Sequence, residues 1–263
     1  MKKFILLLAL SLNLAFAKVV ILDPAIVEIF YLLGAEDEIA GIAKTSQSEI
    51  YPAEKTDKLP SVGTYIKPNL EQIIEMQPDI VITSFHSKGV VADLERFGIK
   101  NEYVKADSID DIYKNIRKVA EITGKQEKAE EIIAEFQKEI SVIDSEKFKG
   151  KKMVFFYAGN PAMAFNSSTL PGDIFRIFGL ENIADKLEGS TPIVNVEFIL
   201  EEDPDFIVIL STTVENFLAE NPVLKNVKAV KNGKIYNIPQ SSILRGTPRI
   251  LPEIKSLYEK FAL

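Results

Sequence analysis

One short unit, written twice, constrains this chain more than any other feature. Asn69-Leu70-Glu71-Gln72-Ile73-Ile74 leads to Pro78-Asp79-Ile80-Val81-Ile82, and Asn195-Val196-Glu197-Phe198-Ile199-Leu200 leads to Pro204-Asp205-Phe206-Ile207-Val208. Glutamate to proline is seven positions in both copies. Each copy reads as a helix stopped by Pro-Asp and followed by an apolar strand. One such unit is common in α/β proteins. Two in register, one in each half of 263 residues, indicate two similar lobes.

The remaining pattern fits that division. Lys18–Leu22 reads as a strand, Ala25–Leu33 as a helix before Gly34, and Ile39–Ile42 as a second strand. Residues 45–67, with Pro52, Pro60 and Gly63, read as loop. Leu70–Met76 is then helical and Ile80–Thr83 a strand, an alternation that argues for parallel βα units. Ile112, Ile116, Val119 and Ile122 keep helical spacing as far as Gly124. A second stripe of Ala129, Ile132, Ile133, Phe136, Ile140 and Ile143 follows, with no Pro or Gly from Lys125 to Glu146. That stretch, between two α/β regions, is suited to a rigid connector, and Met153–Tyr157 begins a new strand. The expected fold class is α/β, with two Rossmann-like lobes of parallel sheet joined by a single long connecting helix. Its boundaries are a signal peptide over 1–17, a lobe over 18–122, the connector over 123–150 and a lobe over 151–263.

The first residues give an address. Lys2 and Lys3 precede the apolar run Phe4 to Phe16, and Ala15-Phe16-Ala17 places small residues at a cleavage site. The run is too short to span a bilayer, which needs about 20 apolar residues. With no cysteine in the chain, a lipidated N-terminus has no attachment point. An exported, untethered protein is expected in the periplasm.

Composition removes whole classes of chemistry. A formal net charge of −7 makes nucleic acid a poor partner. Zero Cys excludes disulfides, thiolate metal sites and thiol nucleophiles, and a single histidine, His86, excludes any site needing two. His86 lacks the G-x-S-x-G elbow that would present a serine, and neither a phosphate loop nor G-x-G-x-x-G occurs. An enzyme is not expected. Two lobes joined by a connector leave a cleft, lined by loops at the carboxyl ends of strands. Gly63-Thr64-Tyr65-Ile66-Lys67, Ser84-Phe85-His86-Ser87-Lys88 and Tyr157-Ala158-Gly159-Asn160-Pro161 are such loops. Phenolate oxygen is a hard donor for Fe(III), and imidazole suits iron, nickel or cobalt, so Tyr65 and His86 are the candidate metal ligands.

Leu59-Pro60-Ser61-Val62-Gly63, Pro68-Asn69-Leu70-Glu71, Gln77-Pro78-Asp79, Pro204-Asp205 and Arg245-Gly246-Thr247-Pro248-Arg249-Ile250 carry a resemblance over nearly all of 18–263. The chain resembles the periplasmic binding proteins for iron-siderophores, haem and vitamin B12, the class III group whose lobes are linked by one long helix. The resemblance implies an ABC-importer component that carries a small-molecule metal chelate to an inner-membrane permease dimer with its ATPase. It implies no permanent cofactor, and a monomer is expected. In that family the second position after the glycine contacts ligand; here it is Tyr65. Haem-binding members place their iron-ligating tyrosine directly after the glycine, where this chain has Thr64. Tyr157-Ala158-Gly159-Asn160-Pro161 is similar to a stretch of the vitamin B12 binder.

Together these residues give an expected ligand set of Tyr65, Lys67, Phe85, His86, Tyr157, Asn160 and Arg245, with Phe165 and Lys88 as further wall groups. Haem is the favoured ligand and a ferric siderophore the next. Cobalamin or a nickel or cobalt chelate is the alternative, and a periplasmic enzyme or metallophore chaperone on the same fold is a remote one. The resemblance also implies that Glu71 and Glu197 dock against permease arginines, one from each lobe. Without it, two acids in first helical turns are simply favourable to the helix dipole.

Overall fold

The computed structural model describes residues 17–45, 48–159, 161–210, 212–238 and 243–263. The expected signal peptide, apart from Ala17, lies outside the described residues. The first half of the chain runs β1 (Val19–Ile21), α1 (Pro24–Leu33), β2 (Ile39–Lys44), α2 (Ala53–Thr56), β3 (Ser61–Thr64), α3 (Leu70–Glu75), β4 (Ile80–Thr83), α4 (Val91–Arg96) and β5 (Asn101–Tyr103). Two long helices follow, α5 (Ile109–Thr123) and α6 (Gln126–Ser141). The second half continues through β6 (Lys152–Gly159), β7 (Ala162–Phe165), α7 (Leu170–Ile177), β8 (Glu181–Asn182), α8 (Val196–Glu202) and β9 (Phe206–Leu210). It ends with α9 (Val214–Glu220), α10 (Lys228–Lys231), β10 (Ile235–Ile238) and α11 (Leu251–Ala262).

The first sheet is parallel throughout, in the order β3-β2-β1-β4-β5. Every residue of β1 and β4 is buried, as the near-continuous apolar runs of a sheet covered on both faces require. The second sheet runs β10-β9-β6-β7, with β8 paired to the start of β6. Its strands are parallel except β7, which turns back on β6. A connection this short can join only antiparallel strands.

The repeated motif does the same work in both sheets. Asp79 accepts from the Lys18 N–H at 2.7 Å, and Asp205 accepts from the Lys152 N–H at 3.0 Å. Each Pro-Asp carboxylate thus pins the chain at the start of its lobe's central strand. The residue before each proline, Gln77 (φ 48°) or Asp203 (φ 44°), takes a left-handed conformation that ends the preceding helix. Asn69 and Asn195 cap those helices, accepting from Gln72 N–H at 3.2 Å and Phe198 N–H at 2.7 Å.

The region between the sheets is a helical hairpin. Gly124, at φ 70°, terminates α5, and α6 folds back beside it. Tyr113 meets Phe136 edge to face at 5.5 Å, and Arg117 Nε pairs with Glu130 at 2.7 Å, contacts that converge toward the turn as antiparallel helices demand. The helix expected to run on towards Glu146 stops at Ser141. Asp144 then starts a short 3-10 turn by accepting from the Glu146 N–H at 3.0 Å, and that turn buries Phe148 against Phe206, Tyr258 and Phe261.

One hydrophobic core crosses the molecule. Ile26 and Phe30 of α1, Ile112, Ile116 and Phe136 of the hairpin, and Phe155 and Phe175 of the second lobe belong to it. Smaller clusters cover the other face of each sheet.

Candidate functional site

The carboxyl ends of β1, β3, β4 and β5 lie along one edge of the first sheet, and a cavity of about 700 Å³ opens there. Tyr65, Phe85, His86, Lys88 and Tyr103 supply much of its lining, and Leu244-Arg245-Gly246 closes it from the second half of the chain. The fold thus brings Tyr65, Phe85, His86 and Arg245 to one place.

Gly63 sets Tyr65. At φ 89° it turns so tightly that a Cβ would stand 2.8 Å from the Lys67 carbonyl. The Thr64 N–H donates to that same carbonyl at 3.2 Å, and the Tyr65 N–H reaches back to the Lys44 carbonyl at 3.2 Å. His86 is set by the turn after β4, where the Ser84 N–H donates to the Ser87 hydroxyl at 2.8 Å. The rings then gather. Tyr65 lies edge-on to His86 with centroids 4.9 Å apart, and Phe85 to His86 at 5.5 Å. The Lys88 ammonium sits over Phe85 at 4.9 Å and over Tyr103 at 5.2 Å. Phe85, 68 % exposed, offers a free aromatic face at the rim.

The cavity's other cations are matched. Lys105 pairs with Asp107 at 3.2 Å and Asp111 at 3.4 Å. The hydrogen bond to Asp107, with the negative charge of both acids, holds its pKa above the ordinary lysine value. Desolvation pushes the Asp111 carboxyl up, but the Lys114 hydrogen bond, the Asp107 N–H and the charges of Lys105 and Lys114 outweigh it, so its pKa is lowered. Arg245 Nη1 donates to Glu28 Oε1 at 2.5 Å and to the Glu49 carbonyl at 2.5 Å, and Nη2 donates to the Ser48 hydroxyl. Glu28 itself is 1 % exposed. It also accepts from the Tyr51 N–H at 3.1 Å and the Thr247 hydroxyl at 3.2 Å, and faces Arg249 at 3.7 Å.

Not every expected residue is in the cavity wall. Lys67 is exposed on the β3–α3 turn, with its N–H donating to the Thr64 hydroxyl at 3.0 Å. Tyr157 packs within the second lobe, its hydroxyl 3.2 Å from Met163 Sδ and its ring 5.1 Å from Phe165. Asn160 lies outside the described residues. Ser84 belongs to a loop expected to line the cleft, whereas Tyr103 and Glu28 are not among the expected residues. Glu28 had a signal, a lone acid inside the apolar helix Ala25–Leu33. Among the described residues no cluster of three or more His, Asp or Glu could hold a metal ion, and no helix is long and apolar enough to cross a membrane.

Glu71 and Glu197 are exposed in the first turns of α3 and α8. Helix α3 follows β3, so Glu71 stands near the carboxyl edge of the first sheet. The Val194 N–H donates to the Ala162 carbonyl at 2.8 Å beside the end of β6, so α8 starts at the corresponding edge of the second.

A periplasmic binding protein family model matches residues 19–242. The chain belongs to the periplasmic binding protein family. This binding protein is 26% identical over 267 residues to a vitamin B12-binding protein of Vibrio vulnificus, covering 100% of this chain and 96% of that one. It is 30% identical over 200 residues to an iron-uptake system-binding protein of Bacillus subtilis, covering 69% and 61%. Its fold superposes on a periplasmic haem-binding protein of Vibrio cholerae with TM-score 0.79 at 22% identity, covering 95% and 100%. It is therefore a periplasmic, non-enzymatic substrate-binding component of an ABC importer. Members of the family work with a membrane permease and its ATPase.

Proposed function

We propose that this binding protein captures a cobalt corrinoid of the cobalamin type between its lobes and delivers it to the permease. The full-length similarity to a vitamin B12-binding protein carries the reading. The charge of the cavity supports it. Among the described cavity-lining residues, Lys88 is the one lysine or arginine with no carboxylate in ion-pair distance. Ferric citrate and the ferric complexes of catecholate or carboxylate siderophores are anionic and haem carries two propionates, so these ligands call for cations, most of which this wall holds against its own acids. A corrin rimmed by neutral carboxamides needs aromatic faces and hydrogen-bonding groups instead, which Tyr65, Phe85 and Tyr103 supply.

Haem is the second reading, favoured by the Tyr65 and His86 rings lying with centroids 4.9 Å apart, two neighbouring side chains that each carry a donor atom for iron. Equilibrium dialysis against cyanocobalamin, haemin and ferric citrate separates the two, read from each ligand's own visible absorption. Cyanocobalamin is expected to bind most tightly; tighter binding of haemin or ferric citrate overturns the corrinoid reading.

Glu71 and Glu197 are proposed as the docking charges of a monomeric protein, one on each lobe. Glu71→Ala with Glu197→Ala should abolish uptake while leaving ligand affinity unchanged. Uptake that persists in the double variant removes the docking role.

A further inference from the structure

We infer that Glu28 is a specificity-determining residue. Buried in α1, it holds Arg245 in the cavity wall with its charge cancelled, and so keeps polyanionic ligands out of the site. The inference rests on the cavity at the β1, β3, β4 and β5 ends being the ligand site, and it deepens the corrinoid reading.

An arginine on the wall of a binding site is by default an anion receptor, because its planar fork matches carboxylate oxygens two at a time. Arg245 lines the cavity, yet its side chain is only 20 % exposed and Glu28 stands behind it. Glu28 is 1 % exposed, on a helix whose adjoining Ile26, Val27, Ile29 and Phe30 are all at 0 % exposure, and a charge buried so deeply persists only if it is paired and hydrogen-bonded. Its partners come mostly from the far end of the chain: Arg245, Thr247 and Arg249, with the Tyr51 N–H completing the set. Arg249 does not line the cavity. Its guanidinium lies over the Tyr51 ring and 3.7 Å from Glu28, against 2.5 Å for Arg245, so within the cavity wall the charge that Glu28 pairs is that of Arg245. The Ser48 hydroxyl and the Glu49 carbonyl occupy further Arg245 donors. A ligand carboxylate would find this guanidinium already engaged.

The test is Glu28→Gln, which keeps shape and removes charge. Ferric citrate affinity is expected to rise about tenfold or more, with a gain that fades as salt is added, while cyanocobalamin affinity changes less than about threefold. The gain should vanish in Glu28→Gln with Arg245→Gln, because it runs through that guanidinium. Glu28→Asp, which withdraws the charge by one methylene, should give a smaller gain and serves if Glu28→Gln does not fold. Equal losses for both ligands with no gain for ferric citrate would make Glu28 a structural tie only and overturn the proposal, as would a gain that survives in the double variant. If the unsubstituted protein binds no cyanocobalamin, the corrinoid reading fails by itself; the rise in ferric citrate affinity on Glu28→Gln is still expected.

Discussion

Tyr65 is proposed as a ligand contact, and what it contributes is read from what each substitution removes. As a wall for a corrin, Tyr65 acts through its ring; as a metal ligand, through its oxygen. Tyr65→Ala should therefore weaken cyanocobalamin binding by roughly 1–2 kcal/mol, the scale of a buried aromatic contact, while Tyr65→Phe changes it little. Dialysis on both variants checks this, and an equal loss in the two would transfer the role to the hydroxyl. The position of Tyr65 was readable because Gly63 and Pro68 bracket it in sequence. The engagement of Arg245 was not, since Glu28 and Arg245 are far apart in the chain and only the fold brings them together.

Among the elements, those that build the sheet centres were the most legible. The strands read at Lys18–Leu22 and Ile80–Thr83 are β1 and β4, because central parallel strands must be apolar on both faces. β3 lay hidden in what read as loop: of Ser61-Val62-Gly63-Thr64 only Val62 is buried, as befits a strand at the sheet edge. β5 is equally polar and equally peripheral. The connector was legible as helix but not in length, since nothing in the apolar stripe marks the stop at Ser141. Where α5 begins, Asp111 ties its first turn to the loop that floors the cavity, accepting from the Asp107 N–H at 3.2 Å and from Lys114 at 3.1 Å. Its pKa is held below the ordinary 3.8, so its ionised form stabilises the folded state above that value and the contribution is lost as pH falls through the lower, folded-state value. Asp111→Asn should lower the melting temperature at neutral pH and flatten its decline on the acid side. Melting curves between about pH 2 and 7 check this; an unchanged acid slope contradicts it.

At the scale of the whole molecule, the lobes are not independent bodies. A single hydrophobic core runs from α1 through the α5–α6 hairpin into β6 and α7, and the buried Asp173 carboxylate of α7 accepts from the Ile109 N–H of α5 at 2.9 Å. Glu28 adds a second tie between the first lobe and the segment before α11. Helix α6 contains no Pro or Gly, so it has no built-in bend. Closure on ligand should be small, and solution scattering profiles with and without cyanocobalamin should nearly superimpose. A marked compaction on binding would contradict a shared core.

The identity of the cargo can be read from the visible spectrum of the protein purified from cells supplied with both cobalamin and haem. Amino-acid side chains absorb only in the ultraviolet, so the polypeptide itself contributes nothing in that range. The absorption bands of a bound corrin are expected; a Soret band, or the charge-transfer band of a ferric chelate in place of a corrin, would contradict the corrinoid reading.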